Sequence, residues 1–242
     1  MTLLALDRVT KRYWRGAHAV LALDEVSLEL ERGDFIAVWG RRGAGKSTLL
    51  RIAAGMESPD EGKVRFEGVD LSHHSRAKQA HLLRERIGVV QRSGPSIPSL
   101  PMLDYVALPL LGRLGRLEAH RRAAAALQRV GVKDSAGLTW GRLSDGAQAL
   151  VAVAHAIVRG PSLVLADDPS TGLDAVEREH VVGLLRTAAD ETGIGVLLTT
   201  PDMPDMLRSN HVMSLSHGRL IQPRSEPGRV IDFPRMRPKS GG

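Results

Sequence analysis

Apolar residues cluster in short runs that recur along the chain at Leu3–Leu6, Ala22–Leu30, Asp34–Trp39, Ile87–Gln91, Ser162–Ala166, Gly195–Thr200 and His211–Leu215. Their length and their content of Val, Ile and Leu predict strands. Several are separated by stretches of helical period, an alternation that predicts an α/β core. Between Met102 and Ile157 the pattern changes. Leu114, Leu117, Ala123, Ala126, Leu127 and Val130 fall at helical spacing and no strand run interrupts them, which predicts a helical subdomain inserted in the core. The Pro- and Ser-rich stretch Ser93–Pro101 marks its entry. The segment Pro223–Gly242 holds four prolines, several arginines and a Ser-Gly-Gly end, a composition expected of a flexible tail.

Composition narrows the class. With 242 residues, 43% of them hydrophobic, the chain is long enough for one large domain or a domain with a subdomain. No apolar run approaches the ~20 residues needed to span a bilayer, so a membrane role calls for a partner subunit. Met1–Val9 lacks a basic start and carries Asp7, unlike a signal peptide. The absence of cysteine excludes disulfides, zinc–thiolate sites and thiol catalysis, and suits a reducing cytosol. The net charge of +6 is scattered, and aromatics make up only 3% of residues. No stacking platform for single-stranded nucleic acid is therefore expected, and no nucleic-acid partner.

Candidate chemistry begins at residues 40–48, GRRGAGKST, between the Phe35–Trp39 run and a helical run. Gly40, Gly45, Lys46 and Ser47 fit the phosphate-loop spacing, with Arg41, Arg42, Gly43, Ala44 and Thr48 completing the segment. Glycines let main-chain N–H groups curl around phosphates, and the following helix N-terminus adds its dipole. Lys46 supplies a point charge for the β- and γ-phosphates, and the Ser47 hydroxyl is a candidate Mg²⁺ ligand. A second element, SLVLADD at 162–168, is an apolar strand ending in two carboxylates, where Asp167 is a candidate to hold the Mg²⁺ of Mg-ATP.

Further motifs follow in order: Gln91 ends the strand IGVVQ, LSDGAQ occupies Leu143–Gln148, and PSTGLD occupies Pro169–Asp174. The arrangement from about residue 2 to residue 222 resembles the ATP-binding subunit of an ABC transporter. Within that family it is most similar to the lipoprotein-release, macrolide-export and cell-division group. The resemblance implies a P-loop NTPase (RecA-like) α/β core, an antiparallel β subdomain and a helical subdomain at about 93–160, with the tail at 223–242. It also implies two such domains head to tail around two ATP molecules. Tyr13 matches the adenine-stacking aromatic. Ser144 and Gly146 match the signature residues that meet the γ-phosphate across the dimer. Gln91 matches the residue that senses Mg-ATP and reports to the permease, and Asp174 one that touches the opposing subunit. The implied partners are a membrane permease and a second ATP-binding subunit, identical or different. The implied location is the cytoplasm, peripheral on the inner face of the cell membrane through the permease, and the implied direction is export.

Three positions depart from the family pattern. Asp168 stands where glutamate usually orients or deprotonates the attacking water, and its carboxylate is one methylene shorter. Pro201, in Thr199-Thr200-Pro201-Asp202, stands where the switch histidine is usual, and proline has neither side-chain donor nor N–H. Asp145 replaces the first of two signature glycines, and Ala147 and Leu150 replace polar residues. ATP binding is therefore expected to be intact and hydrolysis slowed, with Asp168 and Gln91 as the catalytic candidates. The alternative is a hydrolysis-deficient nucleotide clamp or regulatory subunit paired with an active ATPase. Bland roles are expected elsewhere: His73 and His74 have no third metal ligand, His155 serves packing or surface, and Arg113–Arg122 forms a solvated helix face.

Overall fold

The computed structural model describes residues 2–16, 18–71, 81, 85–91, 93–202 and 208–221. His73, His74 and the tail lie outside the described residues. A six-stranded sheet forms the core, in the order β10 (Arg219–Ile221), β9 (His211–Ser216), β3 (Phe35–Trp39), β8 (Gly195–Thr200), β7 (Leu163–Asp167), β6 (Ile87–Val90). All neighbours are parallel except β10, which runs antiparallel on the β9 edge. β8 is buried at every residue and β3 and β7 at all but the last. They read as continuous apolar runs because both faces of a parallel sheet are covered.

Strand alternation divides the core in two. Phe35, Ala37, Val164, Ala166, Val196 and Leu198 face one cluster, with Val181, Leu185 and Ala189 of α5 (Ala175–Thr192) and the apolar face of α4 (Asp145–Ile157). Ile36, Val38, Leu163, Leu165 and Leu197 face the other. That cluster is roofed by α1 (Lys46–Ala53) and by a four-stranded antiparallel sheet in the order β2 (His18–Glu31), β1 (Thr2–Arg15), β4 (Glu61–Phe66), β5 (Val69–Asp70). The α/β core and the antiparallel subdomain thus stand as expected, with β1 and β2 longer than their apolar runs. β1 and β2 are 14 residues each.

Between β6 and β7 the chain forms α2 (Met102–Ala107), α3 (Arg116–Arg129), α4 and short 3₁₀ turns, with one isolated bridge between Pro101 and Thr139. Ala119, Ala123, Ala126 and Leu127 bury the inner face of α3. Leu117 belongs to the helical spacing but is 87% exposed, so it is not a core residue. It lies at the first turn of α3, on the flank opposite the buried stripe. The arginines there are engaged with carboxylates: Arg121 and Arg122 grip Glu118, and Arg113 reaches Glu85.

Candidate functional site

The phosphate loop leaves β3 at Gly40 and enters α1 at Lys46. Its shape depends on Gly45, the N-cap of α1, at φ 108. A Cβ there would overlap the Ala22 carbonyl oxygen on β2, so both backbone angle and space demand glycine. Lys46 is only 7% exposed. Its Nζ donates to the carbonyl of Gly40 at 2.8 Å and to that of Arg41 at 3.4 Å, curling over the inside of the loop. Arg41, Arg42, Gly43 and Ser47 are exposed, whereas Gly40, Ala44 and Thr48 are buried.

β7 brings the carboxylates to this loop. Asp167 Oδ1 accepts from Thr199 Oγ1 at 2.9 Å, and Asp168 Oδ2 lies 3.6 Å from Lys46 Nζ. Asp168 has φ 45, an unusual angle for a residue with a side chain. The turn is held by its own N–H, which donates to the Thr199 carbonyl at 3.0 Å. Its Oδ1 is buried without a hydrogen-bond partner among the described residues. Burial pushes the Asp168 carboxyl above its ordinary value. Lys46 opposes the rise, and the neighbouring charges of Asp167 and Asp202 add to it. A part-exposed carboxylate beside the phosphate-loop lysine, with a raised pKa, suits a proton acceptor for a bound water.

Gln91 follows β6, whose Val90 pairs with Ala166 of β7 in parallel register. It is exposed one residue beyond that pair, beside the strand end that carries Asp167. The donor set of Ser47 hydroxyl, Gln91 amide and Asp167 carboxylate consists of hard oxygen ligands, fitting Mg²⁺ with several waters retained.

The turn 199–202 is locked to the phosphate loop. Gly40 N–H donates to the Thr200 carbonyl at 3.1 Å, and Trp39 Nε1 donates to the Pro201 carbonyl at 2.9 Å. Asp202 carries its N–H on Thr200 Oγ1 and its carboxylate 3.4 Å from Arg178. Pro201 thus contributes a carbonyl acceptor and no donor.

Tyr13 on β1 is half-buried. Its hydroxyl donates to Glu57 at 2.8 Å and accepts from Arg51 at 2.9 Å. Arg51 stands on α1 and Glu57 just beyond it, so the ring is anchored beside the phosphate-loop helix. The signature turn lies elsewhere on this chain. Ser144 caps α4 by accepting from Ala147 N–H at 3.2 Å. Gly146 is buried, and a Cβ there would overlap the Glu177 carboxylate. Glu177 is in turn half of a capping box with Asp174, whose Oδ1 accepts from the N–H groups of Val176 and Glu177 at 2.9 and 2.8 Å. The structure therefore gathers the phosphate loop, Asp167, Asp168 and Gln91 in one place and Ser144, Gly146 and Asp174 in another. Trp39, Thr199, Arg51, Glu57 and Glu177 support these groups and were not singled out from sequence. Only Glu177 left a signal, the Asp-x-x-Glu spacing of a capping box.

His155 on α4 stacks on Tyr105 of α2, with ring centroids 4.4 Å apart and planes within 9°. Burial, assisted by the charge of Arg159, holds its imidazole down at about 4. It lines a cleft of about 400 Å³ between β6 and the helical subdomain, together with Met56, Ile87, Leu108 and Arg159.

A sequence profile described as ABC transporter matches residues 23–171. The chain is 35% identical over 221 residues to the lipoprotein-releasing system ATP-binding protein LolD of Shewanella denitrificans, covering 91% of this chain and 95% of that protein. It superposes on the dimeric ABC transporter cassette MJ0796 with a TM-score of 0.85 at 29% identity, over 92% of this chain and 100% of that one. The same cassette has been solved as a post-hydrolysis dimer bound to ADP and Pi, with the same similarity. CbiO1 from Clostridium perfringens, part of the ABC transporter complex CbiONQ, aligns with a TM-score of 0.79 at 27% identity, over 91% of this chain and 87% of that one.

Proposed function

The chain belongs to the ABC transporter family of ATP-binding proteins, and from that premise we propose that it is the Mg-ATP-driven subunit of an export-type transporter. It works as a head-to-tail dimer docked on a separate membrane permease, at the inner face of the cell membrane. The observation that carries this reading is the contact between Lys46 of the phosphate loop and Asp168 at the end of β7, at 3.6 Å. It brings the phosphate-binding and water-activating elements to one point.

In this reading the N–H groups of Gly43–Thr48 and Lys46 bind the phosphates, and Tyr13 stacks on the adenine. Ser47, Gln91 and Asp167 hold Mg²⁺, which when bound neutralises phosphate charge. Asp168 takes the proton of the attacking water through its carboxylate, whose Oδ2 faces Lys46. Ser144 and the Gly146 N–H of the second subunit close over the γ-phosphate, and Asp174 supports that face by capping α5. Hydrolysis is slow for two reasons. The Asp168 carboxylate sits one methylene behind the usual glutamate position, and misplacement by about 1 Å costs on the order of 100-fold. Pro201 offers the γ-phosphate no donor, and its carbonyl is already engaged by Trp39.

The cleft between β6 and the helical subdomain is where we place the permease. Met56 and Leu108 on its rim are each 48% exposed, and Gly88 and Val89 in its wall lead along β6 to Gln91. Among the described residues no helix is long and apolar enough to cross a membrane, consistent with a subunit that reaches the bilayer through a partner. Cargo recognition then belongs to the permease.

The test is titration of ATP against the full chain and its Lys46→Ala variant. Loss of a buried, phosphate-facing cation is expected to weaken ATP binding by about 100-fold. Equal affinity in the two proteins would overturn the reading.

A further inference from the structure

The two turns that flank Asp168 are tied to each other by one side chain from α5. Asp168 opens the turn after β7, in which the Thr171 N–H donates to the Asp168 carbonyl at 3.3 Å and the Leu173 N–H to that of Ser170 at 3.1 Å. The turn after β8 carries Pro201 and Asp202. Arg178 stands at the start of α5, and its Nη2 donates to the Leu173 carbonyl at 3.4 Å while lying 3.4 Å from Asp202 Oδ2. One guanidinium thus grips the end of the β7 turn and the end of the β8 turn, and its side chain is only 23% exposed.

The β8 turn needs such a hold. Pro201 has no N–H to donate. The carbonyls of Thr200 and Pro201 are taken by Gly40 and Trp39, both on the phosphate-loop side. Toward α5 the turn presents the Asp202 carboxylate. A guanidinium meets this geometry because its fixed fork holds a carbonyl and a carboxylate at once, whereas an ammonium acts as a single point. A part-exposed ion pair of this kind adds little to overall stability. Its place has the larger consequence, since a shift of about 1 Å in the Asp168 carboxylate costs on the order of 100-fold in rate. Resting on the reading of Asp168 as the base, we infer that Arg178 is a positioning residue for ATP hydrolysis. It fixes the spacing of the β7 and β8 turns, and with it the placement of the Asp168 carboxylate. Its guanidinium is engaged on these turns, so it acts through Asp168 and not on the nucleotide.

The experiment measures phosphate release from radiolabelled ATP by the full chain, with kcat and KM separated, and ATP affinity by titration. Arg178→Gln is expected to lower kcat about 10-fold and to leave KM and affinity within about 2-fold, because the phosphate loop and Tyr13 are untouched. Asp202→Ala removes the other half of the tie and should do the same. The double variant should lose about 10-fold and not about 100-fold, since both changes break one contact. Arg178→Lys keeps the charge without the fork and should stay at least about 3-fold below the parent. Full kcat in either single variant, full recovery by Arg178→Lys, or a multiplicative loss in the double variant overturns the inference. So does an Arg178→Gln chain that no longer binds ATP, because the pair would then serve the fold or the nucleotide site itself. Parent turnover no higher than that of Lys46→Ala overturns the catalytic reading and the inference with it. An active parent whose variants keep full kcat overturns the inference alone.

Discussion

His155 links acidity to stability through one half-buried ring. It is stacked on Tyr105, and its pKa is held at about 4 instead of 6.5 by burial and by Arg159. The fold therefore accepts only the neutral imidazole until the pH is well below 6.5, whereas the unfolded chain is protonated near that value. The sign follows: stability from this residue is fully present above the unfolded pKa and is lost as the pH falls toward the folded one. Between pH 7 and pH 5 the unfolded state binds almost one more proton at this position, a loss of about 2 kcal/mol. The full span of the shift corresponds to ~3 kcal/mol. A His155→Phe variant keeps an aromatic ring on Tyr105 and cannot titrate. Urea melts of the parent and variant at pH 7 and pH 5 measure the difference. The variant's stability should fall by about 2 kcal/mol less than the parent's over that interval. Parallel losses in the two proteins would refute the assignment of a neutral, half-buried His155.

Three further outcomes follow from the site. Gly45→Ala should abolish measurable ATP binding and cost at least ~2 kcal/mol in denaturant melts, because φ 108 and the overlap with the Ala22 carbonyl both oppose a side chain; a variant that melts and binds ATP like the parent would contradict this. Trp39→Phe keeps the ring but removes the donor to the Pro201 carbonyl, and should cost about 1 kcal/mol while altering kcat more than KM for ATP. Unchanged kcat would show that the tie does not position the turn. The acid limb of the kcat profile should lie above the ordinary value of an aspartate, because the base must lose its proton and burial raises the Asp168 pKa; a limb at or below that value would remove Asp168 as the base.

Much of the core was legible because its strands are buried on both faces and therefore read as apolar runs. The phosphate loop was legible because Gly40, Gly45, Lys46 and Ser47 keep the motif spacing in the segment that follows β3. β4 and β5 were not. In Glu61–Phe66 only Val64 and Phe66 are buried, amid charged residues, so two inward side chains left no visible period. β10 pairs with one neighbour and has no fully buried residue, which left as little trace. The ends of β1 and β2 were missed because they form a ribbon with polar or exposed flanks, as the first four positions of β2 show. Long-range contacts were beyond reach for another reason. Lys46 meets Asp168, and Trp39 meets Pro201, across 122 and 162 residues, and no local pattern encodes such a meeting. The departures at Asp145, Asp168 and Pro201 were visible in sequence as substitutions; their environments, a sealed turn, an unpartnered oxygen and an engaged carbonyl, were not.

The central claim is that Asp168 drives ATP hydrolysis without the usual glutamate and histidine. Steady-state phosphate release from the full chain at saturating Mg-ATP tests it most directly, with Lys46→Ala and Asp168→Asn as blanks. Turnover clearly above both blanks, and raised about 10- to 100-fold by Asp168→Glu, is the predicted result. Turnover no different from the blanks, with ATP still bound, would contradict it.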